Sequence, residues 1–367
     1  MKVTKSKRVL LSISQANNSP LLTSVISAIF ETKTPLFVVV AAPKGSSLLK
    51  DIERLGVPHI NLRPVNKYNL YKHFLGHVLA LIKFRPSVFL ASGQYATYSG
   101  IPAAFLLGIT KRSYIRHHSN FHHVFKSRAG LFADTLMNKL STRIIAVSGL
   151  VYKILIDEEH VPKNKVVVIH NGIDLNEFSP KVNRNNHVVG GYSDLRIGVV
   201  SRLTKLKGVE FIAEAFIQFS DLHPKSSLHI IGEFADSYAD VMEILAHNNQ
   251  HNFSIERNTT KVADFLSSID VFVHVPIAAD IESFGLVYLE ALAMQLECIF
   301  TKSGIIHELP NAEKYIHEVP YQDSQSIFQK LIKIASQEET EMVIPSDWLS
   351  NFSLNKVGQR YIQEILS

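Results

Sequence analysis

The chain of 367 residues holds a single cysteine, Cys298, so an internal disulfide cannot form and a four-thiolate zinc site is excluded. One thiol in a chain of this length suits a reducing compartment. Long apolar runs are also missing. The nearest approach, Val88 to Ile109, is interrupted by Ser92, Gly93, Gln94, Thr97, Ser99, Gly100 and Pro102. It reads as strand, loop and helix, not as a membrane span. The basic start, Lys2 to Arg8, is followed only by Val9–Ile13, too short for the core of a signal peptide. A soluble, cytoplasmic protein is therefore expected. Internal repeats and low-complexity tracts are absent, as are a P-loop, a Gly-x-Gly-x-x-Gly turn after the first strand and a Gly-x-Ser-x-Gly elbow.

What remains is a globular composition, 46% hydrophobic and 19% charged. The length exceeds what one core usually serves, so two domains are expected. The net charge of +5 hides an asymmetry. Residues 1–180 carry 23 Lys+Arg against 9 Asp+Glu, a net of +14, while residues 181–367 carry 15 against 24, a net of −9. A basic half points to an anionic surface: membrane lipid, a phosphorylated acceptor or nucleic acid. A scattered solubilising surface explains the charge nearly as well. Nucleic acid is not an expected partner, because no basic run interleaved with aromatics and no reading motif is present. The best candidate for contact with an anionic membrane is Arg63 to Arg85, where Lys67, Lys72 and Lys83 stand among Leu70, Phe74, Leu75, Val78 and Leu81. The same segment reads more simply as a helix packed on a sheet with a solvated basic face.

Apolar β-branched runs alternate with helical patterns. Strands are expected at Val9–Ile13, Leu36–Ala41, His59–Leu62, Val88–Ala91, Ser113–His117, Arg143–Val147 and Val166–Ile169. Helices are expected near Leu21–Phe30, Ser47–Leu55, Leu70–Phe84, Tyr98–Leu107 and Leu131–Leu140. The pattern pauses over 176–194, where Pro180, Asn183, Asn185, Asn186 and the pair Gly190-Gly191 suggest a linker. It resumes with strands Arg196–Val200, Ser227–Ile231, Asn252–Ile255, Val271–Val275 and Glu297–Phe300. Helices then fall near Val209–Phe219, Ser237–His247, Ala263–Ser268 and Leu286–Met294. This is the signature of an α/β protein with two doubly wound parallel sheets facing a cleft. The expected organisation is a first domain over 1–175, the linker, a second domain over 195–345, and a closing segment over 346–367.

Four segments could carry chemistry. Gly198 to Gly208 runs from a strand through Arg202 and Lys207 to a helix start, and two spaced cations there can clamp a diphosphate. A basic turn with solvated side chains explains it equally well. Glu282 to Glu290 places two carboxylates eight residues apart across Gly285 and a helix start. Carboxylates accept hydrogen bonds from hydroxyls, and a glycine lets backbone amides come close to a ligand. For Glu282 alone, an acid favoured by the helix dipole is the simpler reading. Asn171-Gly172 after a strand is a turn signal. Finally, Arg116 to His123 holds four histidines after a strand. His118 and His122 have the i, i+4 spacing of two zinc ligands, but the closest acid is Asp134, so metal is not the favoured reading. A histidine facing the cleft can bond a sugar hydroxyl or move a proton. Asp280 and Glu282 form an acidic pair that could hold a divalent metal on a diphosphate, a second choice while Arg202 and Lys207 supply positive charge.

In order, "VVVIHNGIDLNEFSP", "IGVVSRLTKLKGVEFIAEAF", "LHIIGEF" and "DVFVHVPIAADIESFGLVYLEALAMQ" resemble the GT-B retaining glycosyltransferases of the group 1, family 4 type. The resemblance covers most of 166–300. It implies a GT-B fold of two Rossmann-like domains and transfer of a hexose or N-acetylhexosamine from a nucleotide diphosphate sugar. The implied acceptor is a glycan or a lipid-linked sugar, in cell-surface polysaccharide biosynthesis. It implies no metal and no cofactor. The basic half adds the expectation of cytoplasmic work with peripheral contact at the inner face of the cytoplasmic membrane. Arg202 and Lys207 would hold the donor diphosphate. Glu282 would contact the donor sugar beside the backbone of Phe284, Gly285 and Leu286, and Glu290 would hold the ribose hydroxyls. Arg257 would frame the base, although Glu256 stands where a glycine is common. His118 would match the histidine near the sugar's hydroxymethyl group, with His117 as the alternative. The loop at Ser14 and Gln15, on the acceptor side, departs from the Gly-Gly of many relatives. Trp348 to Leu366 would be a helix crossing back to the first domain. A nucleotide-sugar epimerase or hydrolase of the same fold, and a catalytically dead nucleotide-sugar-binding scaffold, are the alternative readings.

Overall fold

Val9–Ser14 (β1) is buried at all six positions, which only a strand covered on both faces can be. It pairs in parallel with Leu36–Ala41 (β2) on one side and Val88–Ser92 (β4) on the other. Adding His59–Asn61 (β3), Lys111–Arg116 (β5), Arg143–Ala146 (β6) and Val166–Val168 (β7) gives a sheet of order β3-β2-β1-β4-β5-β6-β7. A second parallel sheet is built from Arg196–Val200 (β8), Ser227–Ile231 (β9), Asn252–Glu256 (β10), Val271–His274 (β11), Glu297–Phe300 (β12) and His317–Glu318 (β13). Its order is β10-β9-β8-β11-β12-β13. In this computed structural model the described residues are 7–14, 18–62, 64, 68–119, 127–180, 194–246, 252–257, 261–336, 344–345 and 347–367. The chain divides into two units, Met1–Gly172 with Asn351–Ser367, and Ile173–Ser350.

In each sheet the chain starts in the middle, winds outward, returns and winds the other way. With right-handed crossovers this puts helices on both faces. In the first unit, helix Leu70–Phe84 packs against Gln94–Leu106, which packs against Arg128–Leu140. On the opposite face Pro20–Glu31 packs against Ser47–Arg54 and against Leu354–Leu366. The local chemistry is visible in helix Val209–Leu222, whose Val209, Ile212, Ala213, Phe216 and Phe219 recur every three or four residues and are all buried. Burying side chains such as Phe216 and Phe219 contributes roughly 1.5–3 kcal/mol each.

Several boundaries differ from the sequence pattern. The strand expected at Ser113–His117 is Lys111–Arg116, so His117 and His118 both lie beyond its carboxyl end. The helix expected from Tyr98 starts at Gln94, because Gly93 (φ 91°) turns the chain there. Helix Gly149–Lys153 runs into a π-helical turn, Ile154–Glu158, where no element was expected. β13 and helix Ser324–Ser336 were likewise unforeseen. The closing helix begins at Leu354, capped by Ser353 Oγ, rather than at Trp348. Among the described residues no helix is long and apolar enough to cross a membrane.

Candidate functional site

β8 and β11 are neighbours at the point where the strand order of the second sheet reverses, and ligands of such sheets sit beyond the carboxyl ends of those strands. The loop after β8 is tied to the next strand's end by Ser201 N–H to Ile231 O and Leu203 N–H to Glu233 O, both 2.9 Å. It then makes a 3₁₀ turn, Lys205–Lys207, closed by Gly208 at φ 65°. A Cβ on Gly208 would stand 2.4 Å from Val275 O, so the turn that presents Lys207 needs glycine for both space and backbone angle. Lys207 Nζ reaches Glu282 Oε1, on the loop after β11, at 2.5 Å.

A third group completes this contact. His274, the last residue of β11, places Nε2 2.8 Å from the same Glu282 oxygen. Its ring is 3% exposed and meets the Tyr288 ring edge-on at 4.9 Å. Burial by itself would raise the Glu282 pKa. The hydrogen bond and charge of His274, with the charge of Lys207, outweigh burial and hold it at about 2. Glu282 is therefore a fixed anion between two nitrogen donors. The sequence pattern missed His274; its only trace was a polar residue closing a fully buried strand.

Phe284 is buried and Leu286 exposed on either side of Gly285, where helix Leu286–Ala293 begins. Glu290, on that helix, makes no hydrogen bond or ion pair among the described residues. Burial, then the charge of Glu177, raises its pKa to about 7. Arg202 is exposed and its guanidinium has no partner among the described residues. Arg257 lies over the Phe234 ring at 4.7 Å, and Phe234 stacks on Tyr238 at 4.1 Å. The sequence reading named neither aromatic.

The first unit has its own constellation at its own strand reversal, between β1 and β4. A cavity of about 550 Å³ is lined by Ser14, Asn18, Gln94, Tyr98, His118 and Asp134, among others. Ser14 Oγ accepts the N–H of Ala96 at 2.9 Å, so its hydroxyl caps helix Gln94–Leu106. Gln15, His122 and His123 lie outside the described residues. The sequence separation of Asp134 from the histidines is misleading. Helix Arg128–Leu140 brings its carboxylate to His118, with Nε2 to Oδ2 at 3.3 Å. Tyr98 Oη donates to the other Asp134 oxygen at 3.0 Å. Behind them Arg116, 2% exposed, pairs with Glu159 at 2.5 Å and Asp134 at 3.3 Å. Its Nε donates to His118 O at 3.1 Å. Burial would raise the Asp134 pKa, but the His118 hydrogen bond and the Arg116 charge lower it. His117 lines the same cavity and its Nε2 is 3.2 Å from Ser92 Oγ. Both register candidates thus face the cavity, and His118 is the one joined to a carboxylate. Among the described residues no three His, Cys, Asp or Glu side chains gather as a metal-ligand set.

Residues 192–344 match the family model for glycosyl transferases group 1, and residues 36–177 match that for glycosyltransferase family 4. A stretch of 173 residues is 28% identical to an Escherichia coli UDP-Gal:alpha-D-GlcNAc-diphosphoundecaprenol alpha-1,3-galactosyltransferase. It spans 44% of this chain and 43% of that relative. Among solved structures, Anabaena HepE in complex with UDP-glucose superimposes with a TM-score of 0.76 at 18% identity, covering 98% of this chain and 99% of that one. A UDP-GlcNAc 2-epimerase from Neisseria meningitidis, bound to UDP-GlcNAc, does so with a TM-score of 0.64 at 14% identity, with the same coverage. The likeness to both is one of fold, and the fold is GT-B.

Proposed function

We propose a reaction for a chain that belongs to the glycosyl transferases group 1 family: it transfers a hexose or N-acetylhexosamine from a nucleoside diphosphate sugar to a glycan or lipid-linked acceptor, as in cell-surface polysaccharide assembly. The observation that carries the reading is the Lys207–Glu282–His274 cluster at the strand reversal of the second sheet. Lys207 and the exposed Arg202 bind the diphosphate from two sides. Glu282, kept ionised, accepts hydrogen bonds from the donor sugar's hydroxyls, and Glu290 accepts them from the ribose. The stack joins Arg257, after β10, to Phe234 and Tyr238, after β9, and offers a flat edge to the base. A uridine diphosphate donor is the first choice, because HepE was solved with UDP-glucose and the E. coli relative is named for UDP-Gal.

In the transfer, the bond from the anomeric carbon to the diphosphate oxygen breaks and a bond to the acceptor oxygen forms on the same face, with retention. The acceptor proton passes to the departing diphosphate. Fixed cations that stabilise that departing charge lower the barrier by preorganised electrostatics. The two cations supply the role a divalent metal would otherwise fill, so chelator-treated protein is expected to keep its turnover. His118, oriented by Asp134, hydrogen-bonds a substrate hydroxyl, and the cavity of the first unit receives the acceptor. The reading is tested by nucleotide release on a panel of UDP-sugars with candidate acceptors. Turnover should appear with one donor–acceptor pair and collapse in Glu282→Ala and Arg202→Ala. Unchanged turnover in both variants would remove the site assignment. Full-rate product formation from donor alone would favour the epimerase or hydrolase reading, and donor binding without turnover on any acceptor would favour the scaffold.

A further inference from the structure

Helix Leu70–Phe84 is inside out. Its buried face holds His73 and His77 with Ala80 and Leu81. His77 Nδ1 bonds His73 O at 2.7 Å, and Nε2 bonds Ser12 Oγ at 2.7 Å. The outward stripe at i, i+4, i+8 and i+11 is Tyr71, Leu75, Leu79 and Ile82, at 61%, 54%, 69% and 52% exposure. The charged residues of the helix are Lys72 and Lys83, both exposed, and it contains no carboxylate. The solvated basic face that the sequence suggested is instead an apolar ridge flanked by lysines.

The neighbouring helices continue the pattern. Gln94–Leu106 is sunk between its two partners, but its end exposes Phe105 and Leu106, with Arg112 stacked on Phe105 at 5.3 Å. Arg128–Leu140 exposes Phe132 at 71% and Leu136 at 37%, between exposed Arg128 and Lys139. Its one acid, Asp134, is buried. Between Glu53 and Asp134 the chain carries eleven Lys and Arg and no Asp or Glu. Exposed apolar ridges are unusual on a soluble surface. Ridges set among cations alone match a bilayer whose acyl boundary takes the apolar side chains while its anionic headgroups meet the lysines and arginines.

We propose that these three helices form a docking face for an anionic lipid bilayer, with Tyr71, Leu75, Leu79, Ile82, Phe105 and Phe132 entering the headgroup layer. Lys72, Lys83 and Arg128 supply the charge match. This surface is independent of the transfer reaction and stands or falls apart from it.

Flotation of the full chain with vesicles of phosphatidylglycerol in phosphatidylcholine, against phosphatidylcholine alone, tests it. Binding should favour the anionic vesicles by about tenfold or more and weaken with added salt. Leu75→Glu with Leu79→Glu should reduce binding at least about tenfold, and Lys72→Glu with Lys83→Glu should remove the preference for anionic lipid. Both pairs are exposed, so melting temperature and the thermal shift given by UDP should stay as in the parent chain. Those two readings separate a lost docking face from a lost fold or donor site. A parent chain that stays off anionic vesicles overturns the proposal, and so does a Leu75→Glu, Leu79→Glu variant that floats like the parent. Light scattering that shows a dimer split by the same variant would reassign the face to a second copy of the chain.

Discussion

Glu282 and Glu290 sit eight residues apart and are driven in opposite directions. Two donors hold Glu282 near pKa 2, so its charge is constant over any working pH. Glu282→Gln should keep the shape but not the charge, and kcat should fall by about a hundredfold or more with the pH profile unchanged in form. Glu290 faces burial and Glu177 with no cation, and titrates at about 7. Its folded pKa lies above its ordinary 4.5, so its contribution to stability is complete below 4.5 and is lost as pH rises through about 7. Glu290→Gln should therefore stabilise the fold at pH 8 by about 2 kcal/mol relative to pH 5, read from urea midpoints at both pH values. The same change should abolish a rise in UDP affinity between pH 6 and 8, because only the ionised carboxylate is a full acceptor for ribose hydroxyls. Loss of affinity at every pH equally would separate Glu290 from that titration.

At the scale of single elements, two buried polar contacts fix how helices meet the first sheet. Gly93 starts helix Gln94–Leu106 at φ 91°, and a Cβ there would stand 2.3 Å from Ser14 O. Gly93→Ala should cost roughly 1–3 kcal/mol or more, measured by denaturant unfolding, since both the backbone angle and the contact oppose it. His77 joins helix Leu70–Phe84 to β1. Its Nδ1–H donates to His73 O and its Nε2 accepts from Ser12, so it is neutral, and burial lowers its pKa to about 4. A histidine with a depressed folded pKa contributes stability that is complete above 6.5 and is lost as pH falls toward 4. Acidification from pH 7 to 5 should cost about 2 kcal/mol through this one group. His77→Gln should be less stable at pH 7 but lose less on acidification. An equal loss in both proteins would place the acid sensitivity elsewhere.

For the molecule as a whole, the closing helix Leu354–Leu366 is part of the first unit, although the whole of the second, Ile173–Ser350, precedes it. Val357, Tyr361 and Ile365 are buried, Ser24 Oγ donates to Leu354 O at 3.0 Å, and Arg143 grips Glu364 with two bonds of 2.8 and 3.2 Å. That pair is partly exposed, so Glu364→Ala should lower the stability of the first unit by about 1 kcal/mol, and Arg143→Ala should add little to it in a double-mutant cycle. The amino-acid sequence alone determined most of the order of strands and helices, and the placing of Arg202, Lys207 and Glu282 in loops after strands and of Glu290 on the helix that follows. Alternating apolar runs, capping residues and turn glycines act over a few positions, and a single chain displays them directly. Only the tertiary structure decided which charges meet. Lys207 and Glu282 are 75 residues apart, and Arg116 and Glu159 are 43 apart. It also decided that His73 and His77 turn inward while Leu75 and Leu79 face out. Hydrogen bonds and ion pairs depend on distance in space, which the crossovers between parallel strands set. Periodicity reports how apolar a helix is, but the packing of its neighbours selects the side it buries.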